Sequence, residues 1–137
     1  MKIVVDTNIL FSALLKTPNI YAETILLSEN SFYSPKFVFV ELFKYKEKII
    51  KYAKLPENDV LELLYRLLKS IRMMEEDQIS TYNLQQAYNL CEGVDLKDIP
   101  FVALTLDLDG KLWTKDDTLK KGLIKKGFNN FYSLQNK

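Results

Sequence analysis

The sequence contains no histidine and a single cysteine, Cys91, in 137 residues. The missing histidine excludes Ser-His-Asp triads, an imidazole general base and His-ligated zinc sites. One cysteine excludes an intramolecular disulfide and a thiolate metal cluster, so Cys91 is expected to be a small core residue. An enzyme with this sequence must therefore work with carboxylates, hydroxyls, lysines or a metal ion.

Long apolar runs are also missing, since none approaches the ~20 residues that span a bilayer. Glycine and proline number only four each, and no linker divides the chain. The chain reaches Asp6 too soon for the apolar region of a signal peptide. With 47% apolar and 27% charged residues, the composition is that of a globular protein. We therefore expect a single domain over residues 1–137, located in the cytoplasm.

The net charge of +1 is too small to indicate nucleic-acid binding over the whole surface. The lysines are nevertheless concentrated in residues 31–54 and 115–137, whereas residues 55–77 are more acidic. Such lysines can simply face solvent. Two basic segments on either side of an acidic site would also suit a polyanionic substrate.

The hydrophobic pattern alternates between short apolar runs and helical periods. It predicts strands at residues 2–5, 31–34, 111–114 and 131–134, and helices at residues 9–15, 20–28, 35–53, 57–73, 81–91, 100–107 and 117–126. Ser34 is expected to cap the third helix, with Pro35 in its first position. This alternation predicts an α/β domain built on a parallel sheet.

Carboxylates follow two of these strands. Asp6 and Asp116 come directly after predicted strands, and ligands bind at the carboxyl ends of such strands. Glu41 falls on the same arc of its helix as Val38 and Tyr45, so its carboxylate should face the protein. There it needs a partner, a proton or a metal ion. A buried ion pair or a slightly rotated helix are the simpler alternatives.

The remaining aspartates have simpler explanations as helix caps. Asp95 and Asp98 bracket the start of the helix that contains Pro100, and Asp117 is the natural cap of its own helix, which leaves Asp116 over. When each aspartate is considered alone, capping is the better interpretation. Taken together, carboxylates at one sheet edge repel one another unless a hard cation such as Mg²⁺ or Mn²⁺ lies among them.

Four segments in order resemble the acidic motifs of PIN-domain ribonucleases, and among these the VapC toxins of toxin–antitoxin pairs. They are Val4–Leu10, with Asp-Thr-Asn after an apolar run; Val40–Leu42, like the family's glutamate-bearing helix; Asp95–Leu104, like the segment with the third acid; and Leu112–Asp116, with a Thr-x-Asp end. The order and spacing match over essentially the whole chain.

The resemblance implies a three-layer αβα sandwich with a short, mostly parallel sheet, and metal-dependent cleavage of single-stranded or loop RNA with Mg²⁺ or Mn²⁺. It also implies a homodimer and a small antitoxin partner. By the resemblance Asp6, Glu41, Asp98 and Asp116 are the catalytic residues, of which Asp6, Asp98 and Asp116 bind the metal, while Asn8, Asp95, Thr114 and Asp117 support them.

Other classes of protein fit less well. Phosphatases of the haloacid dehalogenase type need Asp-x-Asp, and the third position here is Asn8. Receiver domains need an adjacent acidic pair, whereas Asp6 stands alone. The alternative from another class is a catalytically silent PIN-like module that binds RNA or protein. Four mutually repelling acids argue against it.

A possible contact surface lies on the helix predicted at residues 57–73. Val60, Leu61, Leu64 and Leu68 exceed what one core-facing stripe requires, which suggests an exposed surface for self-association. A helix sandwiched inside a small domain explains the same pattern.

Overall fold

A parallel sheet of four strands forms the centre of the computed structural model, which describes residues 1–134. The strands lie in the order β3-β2-β1-β4, and every pairing between neighbours is parallel. Their bounds are β1 (Lys2–Val5), β2 (Ser31–Pro35), β3 (Ile71–Met74) and β4 (Lys111–Trp113).

Eight α-helices connect and follow these strands in the part of the chain that the structure describes. They are α1 (Thr7–Ala13), α2 (Ile20–Leu27), α3 (Phe37–Lys44), α4 (Lys46–Tyr52), α5 (Glu57–Lys69), α6 (Thr81–Cys91), α7 (Ile99–Leu108) and α8 (Asp117–Lys125). Among the described residues, no helix is both long enough and apolar enough to cross a membrane.

Helices cover both faces of the sheet. Ile3, Val4 and Val5 of β1 are all fully buried, although successive side chains of a strand point to opposite faces. Tyr21 of α2 stacks on Trp113 of β4 with ring centroids 5.9 Å apart. Helix α7 packs across β1, β2 and β4, and α6 packs on α7. The predicted α/β fold with a parallel sheet is therefore confirmed.

The register between β1 and the edge strand β4 determines where the chain leaves the sheet. Val5 pairs with Trp113, and the backbone N–H of Asp6 donates to the Trp113 carbonyl at 3.0 Å. Strands β1 and β4 therefore end side by side. The residues that follow them, Asp6 and Thr114, begin at the same edge of the sheet.

The predicted cap at Ser34 is wrong. Ser34 and Pro35 belong to β2, and α3 begins at Phe37 without a side-chain cap. The buried Ser34 hydroxyl donates to the Val5 carbonyl at 3.0 Å. The Val5 carbonyl lies at the end of β1. The Ser34 hydroxyl therefore bonds to a neighbouring strand and does not cap a helix.

Strand β3 corrects the predicted helix over residues 57–73. Helix α5 ends at Lys69, and Ile71–Met74 pairs with β2 from Phe32 to Pro35. Ile71 is buried in the core. The pairing with β2 overrides the helical preference of the leucines and methionines around this segment.

Two further predicted elements are shorter than expected. The helix predicted over residues 35–53 is interrupted at Tyr45, whose φ of −104° and ψ of 14° separate α3 from α4. The strand predicted over residues 131–134 is reduced to one parallel bridge between Phe131 and Leu112. Helix α6, by contrast, has the predicted bounds.

Candidate active site

Asp6 is the most deeply buried carboxylate at this edge of the sheet, with 6% of its surface exposed. It follows β1 and caps α1, so one carboxylate oxygen accepts from the Thr7 backbone N–H at 2.7 Å. The other oxygen accepts from the Thr114 hydroxyl at 2.7 Å. Each oxygen keeps a second lone pair, so the carboxylate is oriented but can still accept a ligand.

Thr114 connects the ends of β1 and β4 through one oxygen atom. Besides donating to Asp6, Thr114 Oγ1 accepts from Asn8 Nδ2 at 3.2 Å and from the Asp116 backbone N–H at 3.1 Å. Asn8 Oδ1 accepts from the Lys115 backbone N–H at 3.1 Å. This network holds Asp6 and Asp116 on the same side of the sheet.

Asp116, and not Asp117, caps α8. Its Oδ1 accepts from the Leu119 backbone N–H at 3.0 Å. Asp117 is the first residue of the helix and is exposed. The predicted roles of these two residues in capping were therefore reversed, because both satisfy the sequence preference for a cap and only the chain direction after Thr114 selects one.

Glu41 turns toward the protein, as its position on the helical arc predicted. Its Oε1 accepts from the Thr7 hydroxyl at 2.5 Å, which joins α3 to the start of α1. Within residues 1–134 the one ion pair is Lys36 with Glu75, so Glu41 is partnered by a neutral hydroxyl and not by a lysine. Among the described residues, no lysine or arginine forms an ion pair with the Glu41 carboxylate.

Asp95 and Asp98 lie at the two ends of a 3₁₀ turn over Leu96–Asp98 that precedes α7. Asp95 caps this turn by accepting from the Lys97 backbone N–H at 3.0 Å. Asp98 occupies the N-cap position of α7 but makes no capping hydrogen bond with its side chain. Asp95 is therefore used by the backbone, and the Asp98 carboxylate is not.

The acids meet around one open cleft of about 180 Å³. Its walls come from α1, α3, the turn before α7 and the start of α8. The lining residues are Asp6, Thr7, Asn8, Phe11, Glu41, Tyr45, Asp95, Lys97, Asp98 and Asp116. Asp117 lines a different cleft, together with Lys120 and Tyr132, so the geometry does not bring it to the acids.

Burial and mutual repulsion raise two pKa values in this cleft. Burial is the main cause that raises the pKa of Asp6 to about 6; Glu41 and Asp116 add to it, and the hydrogen bonds from Thr114 and Thr7 oppose it. Burial also raises the pKa of Asp98 to about 7, followed by the charges of Asp6, Asp95, Asp116 and Glu41. The cleft thus holds more negative charge than its own cations offset.

The donor atoms suit a hard divalent cation, because Mg²⁺ and Mn²⁺ prefer carboxylate oxygens and keep water ligands of their own. The side chains do not form a ready-made coordination sphere, however. Across residues 1–134, no three acidic side chains are close enough together to hold a metal ion as they stand. An ion would therefore have to draw these side chains closer together.

Sequence reasoning missed two polar residues of the cleft. Thr7 lies inside the Asp-Thr-Asn motif, yet its hydroxyl was not expected to bind Glu41. Lys97 stands between Asp95 and Asp98, and within residues 1–134 it is the one basic residue that lines the cleft. A lysine between two candidate acids was the available signal. Cys91 is buried in the core, as predicted.

Comparison with known protein families identifies a family whose model matches most of the chain. The model of one family, described as the PIN domain, matches residues 4–132. The match includes every residue that lines the acidic cleft. No curated protein sequence matches the chain significantly.

Proposed function

The chain belongs to the PIN-domain family, and on that premise we propose that it is an endoribonuclease that needs Mg²⁺ or Mn²⁺ and cuts single-stranded RNA or exposed RNA loops. The family match supports a nuclease-type fold. The observation that carries the proposal is that Asp6, Glu41, Asp98 and Asp116 line one cleft. None of the four forms an ion pair within the described part of the chain.

In this proposal Asp6, Asp98 and Asp116 hold the metal ion, and Glu41 completes the catalytic set. When bound, the ion lowers the pKa of a water molecule and stabilises negative charge on the phosphodiester oxygens. Thr114 and Asn8 are supporting residues that keep Asp6 in place. Asp95 supports the turn that presents Asp98.

Lys97 supplies a positive charge at the rim of the same cleft. It lines the cleft, and no carboxylate within residues 1–134 forms an ion pair with it. An exposed ammonium beside an acidic site can contact a phosphate oxygen of the substrate. We therefore assign Lys97 the role of holding the RNA backbone against the cleft.

Cleavage of a labelled single-stranded RNA tests the proposed activity. The purified protein should cut RNA with Mg²⁺ or Mn²⁺ and should stop when a chelator is added. Asp6→Asn should be inactive in the same preparation. Cleavage that survives both the chelator and Asp6→Asn would contradict the proposal, and tight RNA binding without any cleavage would favour the silent PIN-like module.

For the cellular context, we propose the toxin of a toxin–antitoxin pair in the cytoplasm, silenced by a small protein. Support comes from the exposed apolar side chains of Phe39, Val40 and Phe43, which flank Glu41 on α3. A short reading frame beside the gene should encode a protein that blocks RNA cleavage when it is added in equimolar amount. No loss of activity with that protein would contradict the toxin assignment.

We also propose self-association through α5, although its exposed apolar surface is smaller than the sequence predicted. Val60, expected to be exposed, is 2% exposed and belongs to the core, and Leu64 and Leu68 are partly buried against it. Leu61 and Tyr65 are 41% and 60% exposed and remain as apolar contacts. Sedimentation of the purified protein should show a homodimer at micromolar concentration, and a monomer would contradict this.

A further inference from the structure

Tyr45 occupies the break between α3 and α4, and this residue lines the acidic cleft. The ring meets Phe11, another lining residue, edge to face with centroids 5.6 Å apart. Tyr45 is half-buried, so part of its ring remains available to a ligand. The chain thus places an aromatic surface beside carboxylates that have no need of one for binding a metal ion.

Two lysines extend from neighbouring turns over the same ring. Lys44 Nζ lies 5.4 Å and Lys48 Nζ 5.8 Å from the centroid of Tyr45. Neither lysine forms an ion pair within the described residues. Both are exposed, and α4 continues with Lys46 and Lys51 against the single acid Glu47.

We propose that Lys44, Tyr45 and Lys48 form a strand-positioning surface that holds single-stranded RNA beside the acidic cleft. A base would take the place of the two ammonium groups on the Tyr45 ring, and the exposed lysine side chains would turn aside to contact the phosphates on either side. Stacking on an aromatic ring together with a basic backbone track is how proteins bind single strands without reading their sequence. The inference rests on the proposed ribonuclease activity and names the residues that position its substrate.

Charge explains why such a surface is needed. Among the described residues, the cleft contains five carboxylates and one lysine, so by itself it repels a polyanion. Attraction for the strand must come from cations next to the cleft. The ammonium groups of Lys44 and Lys48 lie at the ring of Tyr45, a residue of the cleft wall, and they are therefore placed to provide this attraction.

A purely structural role for the lysine–tyrosine contacts predicts something different. Lys69 lies over Tyr65 at 5.1 Å and Lys51 over Tyr52 at 5.5 Å, and neither tyrosine lines the acidic cleft. If contacts of this kind only stabilise their helices, removing any of them should affect stability alone. If Tyr45 positions RNA, its replacement should weaken RNA binding, whereas replacement of Tyr65 or Tyr52 should leave RNA binding unchanged.

The test measures binding of a fluorescent single-stranded RNA by anisotropy, with a chelator present so that no cleavage occurs. The variants are Tyr45→Leu and the pair Lys44→Gln with Lys48→Gln. Tyr52→Leu is the control for the tyrosine, since Lys51 lies over its ring and Tyr52 does not line the cleft. Lys121→Gln with Lys125→Gln is the control for charge, because these exposed lysines have the same spacing on α8 and do not line the cleft.

We expect Tyr45→Leu to weaken binding about fivefold or more, as the loss of one stacked base does. The Lys44 and Lys48 pair should reduce the slope of log affinity against log salt by about 0.7 for each lysine. Both control variants should bind like the wild type, and thermal melts should show that all variants fold.

Unchanged affinity and salt slope in the Tyr45 and lysine variants would overturn the proposal, as would wild-type protein that binds no RNA at low salt. A separate cleavage assay with Mn²⁺ keeps the two proposals distinct. Cleavage by the wild type with unaffected binding by the variants would remove the positioning surface alone. Lost binding in the variants without any wild-type cleavage would support the surface and remove the nuclease.

Discussion

Helix α7 has an aspartate near each end, and the two lie in opposite electrostatic surroundings. Asp98, at the start, has no capping hydrogen bond, and burial and neighbouring acids raise its pKa to about 7. Asp107, near the end, accepts hydrogen bonds from Asn83 Nδ2 at 2.9 Å and from the Ser80 backbone N–H at 3.3 Å. These hydrogen bonds lower the pKa of Asp107, and the bond from Asn83 has the largest effect.

The helix dipole alone would give the reverse order. It stabilises a carboxylate at the N-terminus and destabilises one near the C-terminus. The pKa shifts run the other way: burial and the surrounding acids raise the pKa of Asp98, and hydrogen bonds lower the pKa of Asp107. Asp107 is therefore provided with donors, whereas the Asp98 side chain makes no capping hydrogen bond and lies among four other acids. This contrast is what supports a function for Asp98.

The largest difference between the two aspartates should be in activity. We expect Asp98→Asn to reduce RNA cleavage at least a hundredfold, because it removes a proposed metal ligand without changing the side-chain shape. Asp107→Asn makes the same chemical change at the other end of α7 and should cleave RNA like the wild type. Equal activity of the two variants in a metal-dependent cleavage assay would remove the distinction.

Stability should respond in the opposite direction. In metal-free protein, Asp98→Asn relieves repulsion among the acids, and we expect the free energy of unfolding to rise by on the order of 1–3 kcal/mol. Chemical denaturation with a chelator present would measure this. A variant less stable than the wild type would mean that the Asp98 carboxylate holds the fold together.

The pH dependence of stability tests the same charge. The pKa of Asp98 in the folded protein, about 7, lies above its ordinary value of 3.8, so the folded state binds the proton more tightly. The free energy of unfolding of metal-free protein should then fall as the pH rises from about 4 to about 7. Asp6, with a pKa raised to about 6, contributes in the same direction.

Thermal melts over this range should show the decrease in the wild type and a smaller one in Asp98→Asn. Asp107 has the opposite sign because its pKa is lowered. Its contribution is present above the unfolded pKa and is lost only as the pH falls below about 4. A melting temperature that rises steadily from pH 5 to pH 7 would contradict the assigned shifts.

A smaller effect, mainly on stability, is expected from replacing Asp95. Asp95→Ala removes the cap from the turn over Leu96–Asp98 and should cost about 1 kcal/mol. Much of the cleavage activity should remain, because the carboxylate is used by the Lys97 backbone N–H. Alanine is the better test than asparagine, which caps almost as well. Complete inactivity with unchanged stability would show that Asp95, and not Asp98, is the third acid.

The smallest effect is expected at the far end of α7. Asp107→Ala removes two exposed hydrogen bonds that connect the start of α6 to α7, and it should cost less than about 1 kcal/mol. The pH dependence between 4 and 7 should not change. A larger loss of the free energy of unfolding, measured by denaturant titration, would contradict the contrast drawn between Asp98 and Asp107.

Local patterns in the sequence were sufficient for the part of the fold that presents Asp6 and Asp116. The run Ile3–Val5 and the pair Leu112–Trp113 are apolar and bounded by polar residues, so their strands could be recognised without knowing their neighbours. Parallel strands that end together then place the acids together. The helical arc was likewise enough to turn Glu41 inward.

The errors occurred where a residue's state depends on a distant partner. Ile71–Met74 reads as the end of a helix and becomes a strand because β2 lies beside it. Ser34 has the features of a cap until the Val5 carbonyl takes its hydroxyl. The hydroxyl of Thr7 as partner of Glu41 joins residues 34 positions apart. No pattern within one window of sequence contains such information.

Binding of Mn²⁺, measured by isothermal titration calorimetry, tests the central claim that the cleft acids form a cation site. Wild-type protein and Asp107→Asn should bind the ion with the same affinity at pH 8, where Asp98 is ionised. Asp98→Asn should lose the binding heat while its melts show an intact fold. Wild-type protein that binds no Mn²⁺, or Asp98→Asn that binds it as the wild type does, would contradict the account.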